Sequence, residues 1–169
     1  DDYEDYCLSS GLITDIEYRM RVVTCGWTLK ENFQFSLYYD QATRGYSEHT
    51  YLGIYSDKSV RGIGKIENII VADLLPSGQL QVIKSIKPIT QKQEQNIVSV
   101  IPFALKNNGY QIATGHKFFC VEQFYETDFS KTTKYPLQGT KFFNLKTELQ
   151  IDTLPVTDEI AELLKTKTW

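Results

Sequence analysis

The sequence predicts a mostly β protein, an antiparallel barrel with one or two flanking helices, on three observations. Short runs of period-two alternation recur along the chain. Aromatic residues make up 13% of it, with 11 Tyr and 9 Phe, and flat rings suit a pleated, half-buried surface. The strand-like runs also do not alternate with helical ones as β-α-β units would. At 169 residues there is room for one domain with a real core. That domain is drawn at 13–169, behind an acidic lead-in at 1–12 that opens DDYEDYC.

Each element has its own local signal. IEYRMRVV, 16–23, sets Ile16, Tyr18, Met20 and Val22 against Glu17, Arg19 and Arg21, a strand with one buried face. CGW breaks it, and NFQFSLYY, 32–39, alternates Phe33, Phe35 and Leu37 with Gln34 and Ser36 as a second strand. A loop over 40–49 carries Arg44 and Tyr46. Strands at 50–55 and 59–71 make a hairpin around Ser56-Asp57-Lys58. LPSGQ turns the chain into another strand, in which Leu80, Val82 and Lys84 share a face. Thr90 and Gln93 fit a capping box, so a helix begins near 91, with Ile97, Val100, Ile101, Ala104 and Leu105 as its stripe. Pro102 kinks or restarts that helix and Asn107-Asn108-Gly109 ends it. HKFFCVEQFY, 116–125, reads as one long strand, ETDFSKTTKYPLQG as a polar loop, and TKFFNL, 140–145, as a shorter strand. The last helix, 157–167, has Thr157 as N-cap, Asp158 and Glu159 in its first turn, and Lys165 and Lys167 in its last.

Net charge is −3, which argues against a protein that coats DNA. The distribution is uneven. Residues 1–50 hold nine Asp/Glu against four Lys/Arg, 51–150 hold eight against twelve, and 151–169 hold four against two. A basic face is therefore a local site in the middle of the chain. Cys7, Cys25 and Cys120 are an odd set without C-x-x-C spacing, and with only His49 and His116 beside them no zinc site is expected. They read as reduced thiols of a cytoplasmic protein. No apolar run reaches the roughly 20 residues of a membrane span. A chain that opens on Asp1 reads as a fragment of a longer protein, whose other domains would be its neighbours.

The most informative stretch is YLGIYSDKSVRGIGKIENIIVAD, 51–73. Alternation places Val60, Gly62, Gly64 and Ile66 on one face and Arg61, Ile63, Lys65 and Glu67 on the other. Two glycines on one face permit strong curvature, bulges and close backbone approach. They either close the barrel or leave room for a flat anionic ligand, with Arg61, Lys65 and Lys58 supplying positive charge. The stretch resembles the hairpin of PUA-like barrels of the EVE and ASCH kind through Tyr55, Val60, Ile63, Gly64 and Ile66. The likeness covers about 24 of 169 residues, and the chain lacks the G-x-K-x-x-E-x-R run of an ASCH domain. It implies a module that binds DNA, RNA or a modified base in an aromatic pocket. Trp27, Tyr55, Tyr38 and Tyr46, with Gly62 and Gly64, would form that pocket, and Tyr39 is a further candidate. Arg44, Arg61, Lys65, Lys58, Lys131 and Lys134 would meet the phosphates.

Enzyme readings find less. The Asp/Glu-x-Lys strand motif of a metal-dependent nuclease is absent, since Asp128-Phe129-Ser130-Lys131 has one residue too many. There is no G-x-S-x-G elbow, P-loop or dinucleotide fingerprint. Cys120 and His116 stand about 13 Å apart on an extended strand, too far to pair. The sequence therefore favours a nucleic-acid recognition module over an enzyme, with no catalytic residue, metal or cofactor named. A nuclease, or a protein-interaction module docking through its last helix, is the alternative.

Overall fold

The computed structural model describes residues 13–169; the acidic lead-in and Cys7 lie outside them. Its strands form one mixed sheet in the order β2 (Leu37–Gln41), β6 (His116–Val121), β4 (Ser59–Leu74), β3 (Tyr51–Ser56), β1 (Arg19–Thr24) and β8 (Thr140–Asn144), with β5 (Leu80–Ser85) and β7 (Tyr125–Ser130) also paired to β4, and the sheet does not close into a barrel. This corrects the antiparallel barrel expected from the sequence. Two features explain the difference. Strands β1 (Arg19–Thr24) and β3 (Tyr51–Ser56) pair in parallel, Met20 beside Tyr51 and Thr24 beside Tyr55. The connection over 25–50 is long enough for a crossover, and period-two alternation carries no information about strand direction. In addition, β4 (Ser59–Leu74) is 16 residues long and changes partners along its length instead of returning to close a ring.

The contacts divide the described chain into two compact units. The first holds β1, Ser47–Ile63 and Tyr125–Trp169. Its sheet runs β8 (Thr140–Asn144), β1, β3, the first residues of β4, then β7 (Tyr125–Ser130). One face is the core, where Met20, Val22, Tyr51, Val60, Ile63, Phe129 and Phe143 are buried together. Packing there is close enough that a Cβ on Gly53 would lie 3.1 Å from both Met20 Sδ and Val60 Cγ1. The short helix α3, Leu145–Leu149, is capped by the Asn144 side chain. Helix α4, Thr157–Leu164, buries Ile160, Ala161 and Leu164, and Thr127 Oγ1 donates to the Ala161 carbonyl at 2.6 Å. It starts at Thr157, so the cap falls one residue before the expected one: Val156 holds that position in extended conformation and no side chain caps the helix, which ends at Leu164, short of the expected 167.

The second unit holds Cys25–Tyr46 and Gly64–Phe124. Its sheet is β2 (Leu37–Gln41), β6 (His116–Val121), the remainder of β4, then β5 (Leu80–Ser85), all antiparallel. Half of the expected strand at 32–39 is helix α1, Leu29–Phe35, which ends at Ser36 in the left-handed region at φ 54° before β2 begins. Side-chain bonds override the alternation. Buried Asn32 donates to the Leu37 carbonyl at 2.9 Å and bonds Thr28 Oγ1 through its own oxygen, also at 2.9 Å. These bonds tie helix to strand across the turn. Phe33 and Phe35 pack edge-on against Phe124 and Phe103. The expected strand 116–125 also stops short, at Val121, and Tyr125 opens β7.

Helix α2, Gln91–Asn108, carries the capping box read from Thr90 and Gln93 in both directions. It continues through Pro102 and ends on Gly109, whose φ of 70° favours a residue without a Cβ. Ile97, Val100, Ile101 and Ala104 are buried, while Leu105 is exposed. In β5 the expected shared face fails beyond Leu80: the register shifts opposite Val71 and Ala72, and Val82 and Ile83 are exposed. Cys25 and Cys120 are buried, their thiols pushed up to about 12 chiefly by loss of solvent. They stay protonated and unreactive at neutral pH.

Candidate nucleic-acid interface

The β3–β4 turn organises the site. Asp57 and Lys58 both sit at positive φ, 52° and 59°, which a two-residue hairpin requires and which costs a residue carrying a Cβ. Arg61 offsets that cost. Its Nε donates to the Ser56 carbonyl at 2.9 Å, and its Nη2 to the Asp57 carbonyl at 2.8 Å. Its guanidinium also stands 3.9 Å from the Asp57 carboxylate and 3.6 Å from that of Asp128. The hydroxyls of Ser59 and Ser130 donate to Asp128, and with Arg61 alongside they hold its carboxyl below the usual range. Arg61 is thus occupied in holding the turn.

Beside the turn lies the loop over 131–139. Lys58 Nζ donates to the Thr133 carbonyl at 2.6 Å and the Lys134 carbonyl at 3.3 Å, and the Lys131 N–H donates to the Lys58 carbonyl at 2.9 Å. These bonds staple the loop to the hairpin. Beneath it, Trp169 Nε1 donates to the Phe129 carbonyl at 2.9 Å, and its ring lies 5.1 Å from Phe143 and 6.1 Å from Tyr55. Tyr55 Oη accepts the Leu137 N–H at 3.0 Å. Lys131 and Lys141 stand over the Trp169 ring, 5.6 and 5.3 Å from its centre. Tyr135 projects from the loop 69% exposed, with Lys134 Nζ 5.3 Å from its ring. Five cations, Lys58, Arg61, Lys131, Lys134 and Lys141, therefore gather here, and two carboxylates, Asp57 and Asp128, pair with one of them.

The first unit brings together Lys58, Arg61, Lys131, Lys134 and Tyr55 from the expected site. Sequence reasoning missed Lys141, Tyr135 and Trp169. Lys141 sits in a strand, and Trp169 is about 40 residues from the Phe129 carbonyl it bonds, so no local pattern marks them. Gly62 is buried at a register shift of the β4–β7 ladder, opposite Glu126. It serves a bulge.

Trp27, Tyr38, Arg44, Tyr46, Gly64 and Lys65 belong to the second unit. Gly64 leaves no open space: a Cβ there would lie 2.9 Å from Val121 Cβ and 3.0 Å from the Gln123 carbonyl oxygen. Tyr38 and Tyr46 pack on buried Phe119, at 5.9 and 5.1 Å, and Lys117 Nζ lies 4.6 Å from the Tyr46 ring. Arg44 pairs with Asp40 at 3.0 Å. Lys65 is exposed, and Tyr39 donates to the buried carboxylate of Glu31 at 2.8 Å. Trp27 is 84% exposed on a 3-10 turn, Gly26–Thr28, so it stands as a surface ring.

Elsewhere in the first unit His49 is buried, with Nδ1 2.8 Å from the Ser47 carbonyl. Loss of solvent first, then the charges of Arg21 and Arg19, bring its pKa down to about 4. In the unfolded chain it titrates near 6.5, so between these values the unfolded state binds more protons. Stability therefore falls as pH drops from about 6.5 to 4, by at most about 3 kcal/mol. Glu31, raised chiefly by burial, opposes this because its folded carboxyl keeps its proton to higher pH. The expected result is a lower urea midpoint at pH 5 than at pH 7, with a shallower fall in His49→Gln. An equal fall in both proteins would remove His49 as the cause.

A depression of about 380 Å³ on α4 is lined by Asp158, Glu159, Glu162 and Leu163. Its carboxylates repel phosphate, so it is no part of the basic site. Among the described residues no three His, Cys, Asp or Glu side chains gather that could hold a metal ion, and no helix is long and apolar enough to cross a membrane. No family model, curated protein or solved structure matches the chain.

Proposed function

We propose that the first unit binds nucleic acid, with Lys131, Lys134 and Lys141 contacting the phosphate backbone. The observation that carries this reading is the stapled loop itself: cations clustered around one segment of a chain whose net charge is −3. Arg61 and Lys58 act beneath them as positioning residues, their donors committed to the turn and to loop carbonyls. Fixing the loop in advance lowers the ordering cost that a flexible lysine tail would meet on binding.

Phosphate contact makes a quantitative demand. Each neutralised phosphate adds roughly 0.7 to 0.9 to the slope of log affinity against log salt. Replacing Lys131, Lys134 and Lys141 together by alanine is expected to weaken oligonucleotide binding about 10- to 100-fold at low salt and to reduce that slope by roughly 2 to 3. The melting temperature should hold, because Lys134 and Lys141 are exposed and Lys131 only half-buried. Fluorescence anisotropy over a salt series measures both quantities. Lys106→Ala, on α2 of the second unit, is the control. Equal affinity and equal slope in the triple variant and the parent would refute the assignment.

A further inference from the structure

We infer that the ligand of this site is an unpaired strand, with one base stacked on Tyr135; this rests on the nucleic-acid reading above. The loop offers two large rings of different availability. Trp169 is half-buried, bonded through Nε1 to Phe129, packed against Phe143 and Tyr55, and overlain by Lys131 and Lys141. It is a floor, less accessible than Tyr135. Tyr135 is the reverse: 69% exposed, and followed by Pro136, which fixes its own φ and restricts the backbone before it.

An exposed ring held beside ammonium groups is the arrangement by which proteins take single strands, lysines following the phosphates while rings receive the bases. A duplex cannot use it in this way, because its bases already stack on one another and only its backbone is accessible to the lysines. The site also lacks the means to read a groove. Its phosphate-facing lysines come from a loop of nine residues and one strand residue, with no helix among them, whereas direct readout needs a helix or ribbon inserted into the groove. The β3–β4 hairpin tip at the site has Lys58 and Arg61 turned to protein carbonyls and carboxylates.

The test compares a mixed-sequence strand of about twelve nucleotides, within the range such sites cover, as DNA, as RNA and as DNA annealed to its complement. Anisotropy titrations of the whole chain are expected to favour both single strands over the duplex by at least about 10-fold. Tyr135→Ala should lower single-strand affinity about 5- to 100-fold and leave duplex binding unchanged, while Tyr135→Phe, which keeps the ring, should bind as the parent does. Lys134→Ala should weaken all three ligands alike. Equal binding of strand and duplex, or no effect of Tyr135→Ala, overturns the inference and leaves the phosphate reading standing. If no ligand binds with salt dependence, both fall.

Discussion

Truncating Phe129 to alanine is expected to cost the first unit about 3–5 kcal/mol, the range for a large ring removed from a packed interior. The side chain is fully buried, its ring 5.2 Å from Phe143 and 6.1 Å from Trp169, and its own carbonyl accepts the Trp169 indole N–H. The loss should therefore reach the basic loop. With Phe129 gone the indole has a void on one side, and Lys131 and Lys141 lose the ring that orients them. Urea unfolding and oligonucleotide titration should fall together in Phe129→Ala and largely recover in Phe129→Leu. In the lysine variants only the titration should change. A Phe129→Ala protein that unfolds at the parent's urea midpoint would contradict the packing described.

The second large effect is at Gly64. An alanine in a strand normally gains about 0.4–1 kcal/mol by restricting the unfolded chain. Here the added methyl would lie 2.9 Å from Val121 Cβ and 3.0 Å from the Gln123 carbonyl. Neither atom is the free end of a side chain that could rotate away, so overpacking of about 1–3 kcal/mol outweighs the gain. Gly64→Ala should destabilise, and combining it with Val121→Gly, which removes the Cβ that the new methyl meets, should cost clearly less than the two single changes added together. Strict additivity in denaturant titrations would mean that the contact does not govern the site.

These two residues show how far the sequence could be read. The glycine pair was legible as a place where side chains are excluded. What fills the space was not, because the neighbour, Val121, comes from β6, and only tertiary pairing brings it there. Local chemistry was readable where it is self-contained: the hairpin at Asp57-Lys58, the Thr90–Gln93 box and the stripe of α2 all arise from near neighbours. It failed at 29–35, where Thr28 and Asn32 make side-chain bonds that favour a helix over the alternating rings of Phe33 and Phe35. Strand direction was invisible, as β1 and β3 look the same whether parallel or antiparallel. At the site, the charges of Lys58, Lys131 and Lys134 could be named in advance, but their convergence depends on bonds spanning more than 70 residues.

The order in which the chain is made bears on how it folds. All four strands of the second unit's sheet have been synthesised once Val121 is reached. The first unit is drawn from three separated segments: β1 meets its second neighbour, β8, only at Thr140, and the Trp169 floor comes later still. On the ribosome the two units should therefore mature one after the other, with β1 and β3 waiting half-paired while the last 45 residues, Tyr125–Trp169, emerge.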